Sequence, residues 1–108
     1  MTVDKLLENE NFSPICICDK SREIDGAYCG DLLSWVMGRA KENNAFVTIM
    51  TNINVLAVAS LIDFSAVIIC EDAELSQEFI ETAKSKDINI VKSKLPSFET
   101  CALLSRII

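Results

Sequence analysis

The apolar residues of this chain fall into short clusters whose spacing switches between the helical and the strand repeat. Val3, Leu6 and Leu7 make a short helical stripe behind a Thr2 cap, closed by the polar run Glu8-Asn9-Glu10-Asn11. Pro14 introduces Ile15-Cys16-Ile17-Cys18, a run of strand length bounded by Asp19-Lys20-Ser21-Arg22, and Ile24 to Cys29 reads as a second extended piece. From Asp31 to Glu42, the positions Leu32, Leu33, Val36, Met37 and Ala40 share one face at the α-helical repeat, which predicts an amphipathic helix. Ala45 to Met50 is a strand candidate, Thr51-Asn52-Ile53-Asn54 a polar turn, and Val55 to Ile62 a second helical segment. Ser65 to Cys70 is apolar on both faces, as a strand buried in a parallel sheet is. Ser76 suits an N-cap, with Leu75 and Ile80 placed as a hydrophobic staple for a helix running to Lys86. Ile88 to Val91 is the last strand, and Pro96-Ser97 opens a terminal helix carrying Phe98, Cys101, Ala102 and Leu104. This alternation predicts an α/β fold in one domain over residues 1–108: a mostly parallel sheet flanked by helices, as a two-layer or three-layer sandwich.

Composition agrees with a packed core, since half of the 108 residues are hydrophobic and 24% are charged. The net charge is −6 and the ten basic residues are scattered, so neither nucleic acid nor an anionic membrane is an expected partner. The chain opens without a basic and then apolar run, and no apolar stretch approaches membrane-spanning length, so a cytoplasmic location is expected. Five cysteines, Cys16, Cys18, Cys29, Cys70 and Cys101, are odd in number and irregular in spacing; reduced thiols without metal are the expectation.

Histidine is absent, which removes Ser-His-Asp and Cys-His catalysis, and the three glycines cannot write a dinucleotide fingerprint or a P-loop. No catalytic residue and no cofactor are therefore expected. Cys16 and Cys18, two apart on a strand, point their sulfurs to one face as a soft-metal pair would, but without a second pair at ligand spacing they read as packed structural cysteines. Cys29, ahead of a helix, fits either a thiol of lowered pKa or a packed one, and the packed thiol is expected.

In parallel sheets ligands gather beyond the carboxyl ends of the strands. Thr51, Asn52 and Asn54 follow one expected strand, Glu71 and Asp72 the next, and Lys92, Ser93 and Lys94 the last. Thr51, Asn52, Asn54, Glu71, Asp72 and Ser93 thus form a candidate site for a small polar ligand, a nucleotide or a metabolite. The same residue types also serve as ordinary caps and turns, and Glu71-Asp72 fits a carboxylate pair or two solvated turn charges. Val55 to Ile62 is apolar all round except at Ser60, and Trp35 lies off the stripe of its helix; both predict a homodimer face.

Gly30-Asp31-Leu32-Leu33-Ser34-Trp35-Val36-Met37 and Asn54-Val55-Leu56-Ala57-Val58-Ala59-Ser60 resemble stand-alone members of the DRTGG domain family, with the likeness extending from about Cys18 to the end. Thr51-Asn52-Ile53-Asn54 stands where a typical member has its Asp-Arg pair, and Cys70-Glu71-Asp72 where the Thr-Gly-Gly turn falls. Domains of this family are accessory parts of HPr kinase/phosphorylase, phosphotransacetylases and CBS-containing pyrophosphatases. The resemblance implies a regulatory, dimer-forming role. Two functions follow as expectations: a non-enzymatic regulatory or sensor domain that binds a small ligand or a partner enzyme, or a purely structural dimerisation module.

Overall fold

A computed structural model describes residues 1–108. The short α1 (Val3–Leu6) is capped by Thr2, whose Oγ1 accepts the Lys5 amide at 3.1 Å. There follow β1 (Phe12–Cys16), β2 (Gly26–Cys29), α2 (Leu33–Arg39), β3 (Asn44–Thr48), α3 (Asn54–Ile62), β4 (Ala66–Ile69), α4 (Gln77–Ser85), β5 (Ile90–Ser93) and α5 (Ser97–Ile107). The strands form one sheet in the order β1-β5-β4-β3-β2, parallel except for β1, which runs antiparallel to β5. The expected mostly parallel sheet is present, and it is the middle of three layers.

Side chains alternate across the sheet and build two cores. Phe46, Val67, Ile69 and Ile90 face α2, α3 and α4 through Val36, Leu56, Val58, Phe79 and Ala83. Ala45, Val47, Ala66, Ile68 and Val91 face the other way, toward α1 and α5 through Val3, Leu6 and Leu104. Phe46 stacks on Phe64 with ring centroids 5.0 Å apart. A register shift between Pro14 and Cys16 breaks the alternation in β1, so Ile15 and Cys16 both face the first core. Pro14 is tolerated because β1 is an edge strand, where its missing N–H deletes no ladder bond.

Several elements differ from expectation for identifiable reasons. α2 is shorter than Asp31–Glu42, and only Val36 of its stripe is fully buried; Leu32 precedes the helix and Met37 turns outward. β5 starts two residues later than expected: Ile88 and Asn89 are buried and lead into it, with the Asn89 side chain bonded to the Cys18 and Asp19 amides. β1 begins at Phe12, ahead of the proline. Phe98 is 79% exposed, and Thr100 and Leu104 are the buried residues of α5. α4 keeps its Ser76 cap, with Ser76 Oγ accepting the Phe79 amide at 3.1 Å. No helix is long and apolar enough to cross a membrane.

Two turns at the amino ends of the strands carry Asn43 and Asp63 in left-handed conformations, both at φ 68°. Arg22 joins them. Its guanidinium donates to Asn43 Oδ1 at 3.0 Å, to Asp63 Oδ1 at 3.0 Å and to the Asp63 carbonyl at 2.9 Å.

Candidate functional site

The expected ligand residues stand at the carboxyl ends of their strands, but no hydrogen bond joins the side chain of one to the side chain of another. Asn52 Oδ1 accepts the Asn54 amide at 3.0 Å, so these two close one turn at the start of α3. Thr51, half-buried, precedes that turn. Glu71 and Asp72 are exposed, with left-handed backbones at φ 64° and 50°, and Asp72 pairs with Lys92 Nζ at 3.4 Å. Their amides bind the Leu95 and Ser93 carbonyls at 2.9 Å each, which pins the turn to the end of β5. Ser93 is fully buried; its hydroxyl lies 2.8 Å from Thr100 Oγ1 and accepts the Leu95 amide at 3.1 Å. None of the six lines any of the molecule's four cavities.

Topology accounts for this. Crevices open at a carboxyl edge where strand order reverses and successive helices go to opposite faces. Here β2, β3, β4 and β5 are laid down in one direction and α2, α3 and α4 pack side by side on one face, the helices changing face only at α5, after the last strand of the series. One further group at this edge escaped the pattern-based reading: Asp31, whose Oδ1 accepts Thr48 Oγ1 at 2.7 Å and the Ile49 amide at 3.1 Å. Its signal in the sequence was an acid directly after Gly30 at a strand end, where a short side chain can bond backbone.

Three of the four cavities instead border β2, the free edge of the sheet. A groove of about 340 Å³ runs between β2 and α5, lined by Gly26, Ala27, Cys29, Cys101, Leu104 and Ile108 among others. On the other face Tyr28, Leu32, Trp35 and Val36 line a second groove, with Trp35 55% exposed and the Arg39 guanidinium 4.0 Å over its ring. A third, polar groove at the start of β2 is lined by Arg39 and Lys41 beside Asp25 and Glu42.

The expected dimer face on α3 needs correction. Val55, Leu56, Val58 and Ala59 are buried in the chain's own core, and α3 leaves only Ala57, Ser60 and Leu61 outward along Val55–Ile62. Trp35 stays exposed, on the β2 side of the molecule.

All five cysteines are free thiols. Burial and then the neighbouring Cys101 thiol push Cys29 up to about 11, the opposite of an activated thiol. Burial also raises Cys70, against the Thr100 and Ser97 hydroxyls. No group of three or more cysteines and carboxylates has the arrangement of a metal site.

No protein-family model matches the chain, and no curated protein matches it. Among solved structures it is similar to the CBS and DRTGG domains of the regulatory region of Clostridium perfringens pyrophosphatase, complexed with activator, diadenosine tetraphosphate. The likeness has a TM-score of 0.73 at 19% identity over 95% of this chain. It is a likeness of fold. The chain spans 45% of that structure's length.

Proposed function

We propose that this chain is a non-enzymatic regulatory domain, a single DRTGG-like unit over residues 1–108, that works as a cytoplasmic homodimer presented to a partner enzyme. The observation that carries this reading is the free β2 edge, along which three of the four cavities and exposed apolar side chains collect, while none of the six expected ligand residues lines a cavity. The Gly30 amide donates to Val47 O at 3.1 Å in a register that pairs Cys29 with Val47. In a parallel ladder alternate residues turn both backbone groups to the same neighbour, so Gly26 and Tyr28 face β3 while Ala27 and Cys29 face outward.

That pattern is self-complementary. An antiparallel pair of β2 strands centred on Tyr28 sets Ala27 against the partner's Cys29 twice, for four backbone hydrogen bonds, with the tyrosines side by side. The small side chains of Gly26, Ala27 and Gly30 allow the approach, and Trp35 and Leu32 flank it. Light scattering at micromolar concentration tests this: the expected mass is twice 12.0 kDa. Ala27→Pro removes an outward N–H at an edge position that tolerates proline, and is expected to give a folded monomer. A wild-type chain that stays at 12.0 kDa refutes the reading.

A second reading, a nucleotide ligand at the carboxyl edge, draws on the diadenosine tetraphosphate held by the similar structure. That edge carries the acids Asp31, Glu71 and Asp72 against Lys92, paired with Asp72, and the exposed Lys94. Thermal shift with diadenosine tetraphosphate and ATP separates the two, because a ligand of the folded state raises the melting temperature by mass action.

A further inference from the structure

The geometry points to Cys16 and Cys18 as a dithiol that closes to an intrachain disulfide when the protein meets a small-molecule disulfide, giving the domain a reversible thiol-exchange site. The two Sγ atoms lie 3.7 Å apart, with Cys16 buried and Cys18 exposed. This division of roles suits exchange, in which an accessible thiolate attacks first and a sheltered neighbour resolves the adduct. The inference is independent of the dimer, since β1 lies at the opposite edge of the sheet from β2.

The pair is held in place from two sides. The register shift in β1 turns Cys16 inward beside Ile15, and the chain then bends at Cys18. Asn89, buried at the entry to β5, accepts the amides of Cys18 at 2.8 Å and Asp19 at 2.9 Å on its Oδ1. The Cys18 thiol also donates to the Ile88 carbonyl at 3.7 Å. The exposed Cys18 sulfur sits 3.7 Å from both that carbonyl and the Cys16 sulfur. Closing to a bond of about 2.05 Å thus needs a side-chain movement on the order of 1.7 Å and no new fold.

The chemistry balances with an oxidant of the glutathione disulfide class. Cys18 thiolate attacks one sulfur of RS–SR, forming Cys18–S–SR and releasing RS⁻, which takes up a proton. Cys16 loses its proton to solvent and attacks the Cys18 sulfur; the bond to RS breaks and a second thiolate leaves. Two protein thiols and one disulfide become one protein disulfide and two RSH. Burial and then the adjacent Cys18 thiol raise Cys16 to about 11, which leaves the first attack to the exposed Cys18. A ring closed between residues two apart is also strained, and strained disulfides are the ones readily reduced again.

The test is peptide mapping of the full chain after incubation with oxidised glutathione and acid quenching. Trypsin releases Leu6 to Lys20, which holds Cys16 and Cys18 and no other cysteine. The expected result is that this peptide loses about 2 Da, the two thiol hydrogens, and regains them with reduced glutathione. Cys18→Ser, at an exposed position, is expected to abolish the loss, and Cys16→Ala to trap a stable glutathione adduct on Cys18. Three results each overturn the inference: a persistent glutathione adduct on wild-type Cys18, free thiols in this peptide throughout, or disulfides formed only by Cys29, Cys70 and Cys101.

Discussion

Asn89→Ala removes the most heavily used polar side chain in the molecule. Its Oδ1 accepts two amides, from Cys18 and Asp19, and its Nδ2 donates to the Asp19 carbonyl at 2.8 Å and the Ser65 carbonyl at 2.9 Å. One amide group thereby ties the end of β1 and the turn after it to the entries of β4 and β5. Each bond contributes about 0.5–1.5 kcal/mol net, and a buried group left without a partner costs about 1–3 kcal/mol. Cys18 and Asp19 are exposed residues whose amides recover water once the side chain is gone, so their loss falls at the low end. Ser65 is only 1% exposed, and its carbonyl stays dry and short of one donor. The sum is a loss of about 2–4 kcal/mol, or on the order of 8–16 °C in melting temperature for a domain of this size. Urea unfolding followed by circular dichroism reads it as a lower midpoint with the slope unchanged. Asn89→Asp is expected to lose as much at neutral pH, because it sets a carboxylate oxygen against two carbonyls. A loss below about 1 kcal/mol for Asn89→Ala would refute the reasoning, by showing that water replaces all four bonds.

Leu56→Ala, fully buried in α3, is expected to cost about 2–5 kcal/mol as a core truncation, measured by the same unfolding curve; lowered oligomer mass at unchanged stability would contradict its place in the core. At neutral pH iodoacetamide is expected to modify exposed Cys18 first, with Cys16 and Cys29, both pushed up to about 11, reacting last in a mass-spectrometric time course. The same shifts set a pH dependence with a definite sign. Below the ordinary thiol value of 9.0 native and unfolded chains both hold these protons; above it the unfolded chain releases them first, so stability falls as pH climbs toward about 11. The Ser21 hydroxyl, and then its amide, hold the Asp19 carboxyl below its usual value, so that contribution is present above the ordinary carboxyl range and is lost as pH falls through the native value. Carbon-detected NMR titration of Ser21→Ala is expected to return Asp19 toward the ordinary range.

The helix and strand periods were legible in the sequence because burial on one face or both imposes a repeat that survives without knowing the neighbour. Val67 to Ile69 is apolar on both faces and became a central strand; Thr2 and Ser76 cap the helices they were expected to cap. A cap or a stripe is a local fact, settled within one turn of chain. What the residues could not declare was which element lies beside which. Asn52 closes its own turn on the Asn54 amide, and Asp72 pairs with Lys92, a bond that depends on which turn and strand meet. Ser93 looked like a free hydroxyl until α5 placed Thr100 against it. The apolar surface of α3 looked uncovered, yet the sheet and the neighbouring helices bury Val55, Leu56, Val58 and Ala59 and leave Ala57 and Leu61 outward. Asn89 and Arg22 were unremarkable polar residues in the chain, since their partners lie as far as 71 and 41 positions away. Local sequence determined the elements, through short-range sterics and the burial repeat; long-range packing alone decided the edges, the grooves and the partners of each polar group, because those energies depend on residues that meet only after the chain has folded.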